Sequence, residues 1–127
     1  MPSISVLIPL YNHARYIGET LQSVLKQTSP VDEIIVLDDG SKDNSAAVAQ
    51  AALQGHANAR VIRQTNRGAH NTINRLVEES RGDYLAVLNS DDAFMPTKIE
   101  RCRNLLSRTP NVELLAGKVR LMDDESR

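Results

Sequence analysis

The sequence predicts an α/β fold, an open and largely parallel sheet with helices on both faces. Three observations carry that expectation. Short apolar runs alternate along the chain with segments of helical periodicity. The runs at residues 3–10, 33–37 and 84–88 are apolar nearly throughout, the pattern of strands buried on both faces of a parallel sheet. Each then ends in conspicuous polar groups: Tyr11 and Asn12, Asp38 and Asp39, and Asn89, Ser90, Asp91 and Asp92. A parallel sheet brings such strand ends to one edge, where ligands of these folds bind.

The elements follow in order. Residues 3–10, SISVLIPL, form the first strand, and Pro9, which has no N–H to donate, is expected to stop its pairing. Ile17, Leu21, Val24 and Leu25 recur at helical spacing, and Ser29 and Pro30 stop that helix. EIIVL at 33–37 is the second strand. The turn from Asp38 to Asp43 opens an Ala-rich helix, with Ser41 or Asp43 as its cap, packing through Val48, Ala51, Ala52 and Leu53 and ending at Gly55. RVIR at 60–63 is a third strand, and QTNRGAHN a polar loop in which Gly68 permits tight backbone geometry. Ile73, Leu76 and Val77 mark a third helix that ends near Gly82. After the strand at 84–88, Pro96 takes a first helical position, and Met95, Ile99, Cys102 and Leu106 form that helix's apolar stripe. Pro110 ends it, residues 112–119 read as a fifth strand, and MDDESR is a charged, frayed tail.

Composition bounds the function. At 127 residues the chain is one domain, long enough to bury a core without staples. A net charge of −1 gives no electrostatic footprint for nucleic acid, and one Phe, three Tyr and no Trp leave few stacking platforms. Cys102 is alone, so there is no internal disulfide, and its place on an apolar helical face makes it a packing residue. No apolar run approaches membrane-spanning length and no signal segment precedes Ile4. A cytoplasmic location is expected, with membrane association only through a longer parent chain.

The strand tips carry the chemistry. Asp91 and Asp92 are neighbouring carboxylates whose mutual repulsion a divalent cation would relieve. A turn that caps the following helix accounts for the same residues without a ligand. Asp38 and Asp39 end a buried strand, and Asp39 is placed to accept a hydrogen bond from a base N–H. An acidic crevice binds an anion when a cation intervenes, and Mg²⁺ or Mn²⁺ takes one or two carboxylates and completes its shell with phosphate oxygens. PLYNHARY after the first strand has no glycine, which excludes a dinucleotide fingerprint, and no phosphate-cradling GK[ST] loop is present. His13, His56 and His70 show no metal-ligand spacing and read as surface or loop residues.

SISVLIPLYNHARYIGETLQSVLKQT, EIIVLDDGSKDNS, NRGAHNTINR and YLAVLNSDDAFMP occur in this order and at this spacing. Together, over Ile4 to about Leu121, they resemble the nucleotide-sugar-binding half of a family 2 inverting glycosyltransferase of the GT-A fold. The resemblance implies transfer of a sugar from a nucleotide-diphospho-sugar, a UDP-sugar by expectation, to an acceptor hydroxyl with inversion, assisted by Mn²⁺ or Mg²⁺, in polysaccharide biosynthesis. It assigns Pro9, Leu10, Tyr11 and Asn12 to the nucleoside loop, with Tyr11 stacking near the base. Asp39 becomes the reader of the base, uracil through its N3–H, and Asp38 its neighbour at the strand tip. Asn66, Arg67 and Gly68 become the loop beside base and phosphates. Asn89 and Asp91 contact ribose, and Asp91 and Asp92 hold the metal.

Two departures from the family pattern matter. Asn89 stands where the family commonly has Asp, so N-S-D-D carries less charge and the metal is expected to bind weakly without nucleotide. The family's general base lies well after the acidic motif, so it is expected beyond Arg127, in an acceptor half that this domain lacks. Two other readings are weighed against this one. A nucleotidyltransferase would need a glycine-rich basic loop after the first strand, which is missing. A non-catalytic, receiver-like regulatory module would need a Lys after a late strand, and Lys118 is its single candidate.

Overall fold

The computed structural model describes residues 2–108. Four strands alternate with four helices: β1 (Ile4–Leu10), α1 (Ala14–Leu25), β2 (Glu33–Asp39), α2 (Ser45–Ala52), β3 (Ala59–Gln64), α3 (Ala69–Glu79), β4 (Tyr84–Val87) and α4 (Lys98–Arg108). All pair in parallel, in the order β3-β2-β1-β4. The expected strand over 112–119, its Lys118, and the tail at 122–127 lie outside the described residues.

Helices lie on both faces of the sheet, as expected. Ile4, Val6 and Ile8 of β1 and Ile34 and Val36 of β2 pack against Ile17, Leu21 and Val24 of α1, Ala49 of α2, and Ile99 and Leu106 of α4. On the other face Leu7, Ile35 and Leu37 meet Leu76 of α3. This is the period-two division of a strand's side chains. Full burial of a Leu or Ile contributes about 1.5–3 kcal/mol, so β1 and β2 are the anchor of the domain.

Three expectations are corrected. β4 is not buried on both faces: Leu85 and Val87 are 40% and 48% exposed. Their register with Ser5 and Leu7 puts them on the α3 face, but α3 packs across β1 and β2 and leaves β4, an edge strand among the described residues, uncovered. Pairing ends ahead of Pro9 only toward β4, at Leu7 and Val87; toward β2 it continues, in register to Leu10 and Asp38. The reason is direction. The carbonyls of Ser3 and Leu7 accept from Tyr84 and Leu88 of the β4 segment, whereas that of Ile4 accepts from Asp32 on the β2 side. Odd-numbered residues of β1 therefore aim their backbone polar groups at β4, and the missing N–H of Pro9 interrupts nothing toward β2. Finally, α4 begins at Lys98, two residues after Pro96, and Met95 is exposed while Arg103 takes a buried place between Ile99 and Leu106. Arg103 pairs with Asp32 at 2.9 Å and donates to the carbonyls of Pro2 and Pro30 and to Ser29 Oγ, which satisfies a cation that burial alone would penalise.

Candidate functional site

The chain runs from β1 outward through β2 to β3, then returns to the far side of β1 as β4. Strand order therefore reverses between β1 and β4, and the carboxyl ends of the strands there form the switch-point crevice of an open α/β sheet. A separate groove of about 450 Å³, lined by Asp32, Glu33, Asn58, Arg60 and Arg81 among others, lies at the opposite, amino-terminal edge and away from these residues.

The expected site residues do assemble at the carboxyl edge, through a chain of hydrogen bonds. Asn12, at a positive φ of 52°, donates its N–H to Ser41 Oγ at 2.9 Å and accepts from the Lys42 N–H at 2.8 Å through its side-chain oxygen. Asn tolerates this left-handed geometry better than most residues. Ser41 in turn bonds through its hydroxyl to Asp38. Asp38 is thus a turn-former at the β2 tip, buried and spoken for. Pro9 and Leu10 are the last residues of β1, Leu10 buried beneath the crevice, and Tyr11 beyond them is 41% exposed with its ring available.

Asp39 holds the loop after β3. Its Oδ1 accepts from Gln64 Nε2 at 2.9 Å and the Arg67 N–H at 2.7 Å, and its Oδ2 from the Gly68 N–H at 3.0 Å. Burial alone would raise its pKa, but the donors from Arg67, Gln64 and Gly68 outweigh it and hold the carboxyl below the ordinary range. Gly40 makes this junction possible: at a φ of 73° its hypothetical Cβ would stand 2.7 Å from the Asn66 backbone nitrogen. Asn66, Arg67 and Gly68 are therefore brought to the β2 tip by the carboxylate assigned to the base.

The acidic segment lies across the crevice. Asn89, Asp91 and Asp92 are exposed, while Ser90 between them is buried. Asn89 Nδ2 donates to Asp92 Oδ2 at a long 3.4 Å, and Asp92's N–H closes a turn on the Asn89 carbonyl at 3.1 Å. Ser90 Oγ lies 2.6 Å from His13 Nδ1, a bond that ties this loop to the start of α1. His13 is a loop residue, as expected, and it helps to join the two sides of the crevice. The reading of Ser41 or Asp43 as the cap of α2 is corrected in part. Asn44 occupies the cap position without a side-chain bond, and Asp43 accepts from the N–H and hydroxyl of Ser45 and, on its other oxygen, from the Ala14 N–H at 3.2 Å. One carboxylate thus serves the first turns of two helices.

Backbone contacts that the sequence reading missed hold the acidic segment from α1. Thr20 Oγ1 lies 3.0 Å from the Ser90 carbonyl and 2.6 Å from that of Asp92. Ser23 Oγ accepts the Phe94 N–H at 3.0 Å. Gln27 donates to the Met95 carbonyl at 2.7 Å and accepts the Ile99 N–H at 2.9 Å. Their signal in the sequence is a polar row at helical spacing beside the apolar stripe.

The donor set fits a divalent cation of the Mg²⁺ or Mn²⁺ kind. Two exposed carboxylates with open lone pairs are what such an ion takes when phosphates complete its shell. No cluster of three potential ligand residues exists among the described residues, so these residues alone offer an incomplete shell.

Comparison with known proteins decides the family. The model of Glycosyl transferase family 2 matches residues 5–125. The chain belongs to glycosyltransferase family 2. An uncharacterized glycosyltransferase of Rickettsia felis is 34% identical over 125 residues, 98% of this chain and 21% of that protein, so the chain spans about a fifth of that relative's length. Among solved structures, S. aureus TarS 1-349 in complex with UDP-GlcNAc superposes with a TM-score of 0.75 at 26% identity, over 84% of this chain and 31% of that one. Glucosyl-3-phosphoglycerate synthase from Mycobacterium tuberculosis, in complex with Mn²⁺, UDP and glucosyl-3-phosphoglycerate, gives 0.60 at 26% identity, over 72% and 36%. The family 2 domain has the GT-A fold, as expected. Membership in an enzyme family sets aside the receiver-like alternative. No helix among its described residues is long and apolar enough to cross a membrane.

Proposed function

We propose that this domain binds the nucleotide-diphospho-sugar donor of a family 2 glycosyltransferase, with a UDP-sugar as donor, and that the enzyme passes the sugar to an acceptor hydroxyl with inversion. The observation that carries the reading is the convergence of four segments, 9–13, 38–41, 64–68 and 89–92, on the β1/β4 switch point.

Each segment has a task. Pro9, Leu10, Tyr11 and Asn12 line the nucleoside side, with the exposed Tyr11 ring stacking on the base. Asp39 Oδ1 already receives two donors, so uracil N3–H bonds to Oδ2, which accepts one. Asp38, the buried turn-former, keeps the nucleoside loop against the β2 tip. Asn66, Arg67 and Gly68 border base and phosphates, and the exposed Arg67 side chain supplies positive charge there. Asn89 and Asp91 contact ribose. Asp91 and Asp92 hold Mn²⁺ or Mg²⁺ beneath the diphosphate; when bound, such an ion stabilises the departing nucleotide as a Lewis acid. The acceptor's general base is assigned, on the family resemblance, to sequence beyond Arg127.

The test is a calorimetric titration of UDP, ADP, CDP and GDP into the domain, with Mn²⁺ and with chelator. UDP is expected to bind most tightly, and more tightly with Mn²⁺. Equal affinities for UDP and ADP would remove the role given to Asp39. Equal affinities with and without chelator would remove the role given to Asp91 and Asp92.

A further inference from the structure

The carboxylates of Asp91 and Asp92 have almost no tether of their own. Among the described residues the one side-chain bond to either is the 3.4 Å contact from Asn89. Their positions are therefore set by the backbone that carries them, and that backbone is held from one helix. Thr20 and Ser23 fall three residues apart on one face of α1, and Gln27, two residues past the end of that helix, continues the row. We propose that this row is the positioning device of the metal loop, with Thr20 as the residue that fixes Asp91 and Asp92 for the nucleotide-bound cation; the inference rests on the donor-site reading above.

The bonds are arranged for this. The Thr20 hydroxyl proton is shared between the carbonyls of Ser90 and Asp92, the residues that flank Asp91, so one group clamps both ends of the acidic step. Ser23 Oγ takes the Phe94 N–H while donating to the Thr20 carbonyl at 2.6 Å, so it both pins the loop and stiffens the turn that carries Thr20. Gln27 uses both ends of its amide. Nε2 bonds to the Met95 and Ser23 carbonyls, and Oε1 receives the Ile99 N–H, one of the first-turn donors of α4 that no helical partner can satisfy. The loop from 90 to 99 is thereby hung between α1 and α4 at both ends.

Burial makes the choice of residue types informative. Thr20 is 1% exposed and Gln27 is 7% exposed, beside Leu21 and Val24, which are fully packed. An apolar side chain would bury equally well at either place without the desolvation cost of a hydroxyl or an amide. The polar groups are retained where their partners are loop backbone leading to the two carboxylates. Groups that orient metal ligands without touching the metal typically change metal affinity by about 10- to 100-fold when removed.

Thr20→Val keeps shape and removes the hydroxyl; Thr20→Ser keeps the hydroxyl. Ser23→Ala is a milder cut, kept in case Thr20→Val does not fold, and Gln22→Ala on the exposed side of α1 is the control. The first readout is amide hydrogen exchange of the domain without ligand. Thr20→Val should speed exchange across residues 90–99 roughly tenfold, the scale of one lost hydrogen bond, and leave β1 and β2 unchanged. The second is the ratio of UDP dissociation constants with chelator and with Mn²⁺. Thr20→Val should shrink that ratio by about 10-fold or more while leaving the chelator value alone, and Thr20→Ser should restore it. A merely structural Thr20 would weaken both constants together, and that result, or an unchanged ratio, overturns the proposal. A wild-type domain whose ratio is one refutes the metal reading itself. In that case exchange alone judges the clamp, and unaltered exchange at 90–99 refutes it too.

Discussion

Two aspartate doublets face each other across the crevice, and they are in opposite physical states. Asp38 and Asp39 are each 5% exposed and engaged by serine, glutamine and backbone donors. Asp91 and Asp92 are exposed, with one long contact to Asn89 among the described residues. The difference comes from the strands that carry them. β2 is an interior strand whose register with β3 runs to Asp39 and Gln64, so its tip is enclosed on both sides. β4 is an edge strand among the described residues, and its register with β1 ends at Val87, ahead of Asn89. The lesson is that one doublet is scaffold that also offers a lone pair, and the other is ligand that depends on scaffold elsewhere.

That contrast predicts a separation of stability from binding. Asp39→Ala should cost about 3–5 kcal/mol in chemical denaturation, because it strands the Arg67 and Gly68 N–H groups in a buried place. A loss below about 1 kcal/mol would mean that the loop finds other partners and that the contrast is false. Gly40→Ala should cost about 2 kcal/mol, from the positive φ and the approach to the Asn66 nitrogen, and should weaken nucleotide binding through displacement of 66–68. At Gly68 nothing lies within 4 Å of the Cβ direction, so Gly68→Ala meets only the positive φ of 89°, whereas proline there would also remove the N–H that Asp39 accepts.

Acid sharpens the same contrast. The folded state lowers the pKa of Asp39, and of Asp32 beside Arg103, so each contributes stability that is complete above the unfolded carboxylate value. That value is about 3.9, and the contribution is lost as pH falls below it through the folded pKa. Thermal scans from pH 7 down to pH 3 should show stability held to about pH 5 and falling below about pH 4, with the fall reduced in Asp39→Asn. The smallest stability effect belongs to the other doublet. Asp92→Ala should change unfolding free energy by less than about 0.5 kcal/mol yet abolish the Mn²⁺ gain in UDP affinity. A destabilised Asp92→Ala domain would show that the exposed doublet is structural after all.

The legible part of this molecule was what period and composition encode. SISVLIPL and EIIVL announce β1 and β2 because interior strands of a parallel sheet need apolar residues on both faces. YLAVL gave the same signal and was read too far. Leu85 and Val87 are as apolar as Leu7, and no local pattern says that α3 stops short of them. The site residues were legible as types at strand tips, but their partners were not. Asp39 binds a loop 28 residues on, and Thr20 a loop 70 residues on, so neither bond leaves a local trace. His13 is legible as a loop residue, but its partner, the hydroxyl of Ser90, lies 77 residues on and leaves no local trace. Asp43 was placed at one helix start and serves two, since the second, at Ala14, lies 29 residues back.

Pro9 has one more effect. The last rung between the first and fourth strands is the bond from the Leu88 N–H to the Leu7 carbonyl. The next would run from the N–H of residue 9 to the carbonyl of residue 88, and proline has none to give. The zipper between these strands is thus halted at the depth where the crevice begins, by an atom that is absent from the chain. A sheet tends to lengthen wherever its polar groups can meet, and here the imino acid keeps two neighbouring strands from closing over the mouth between them.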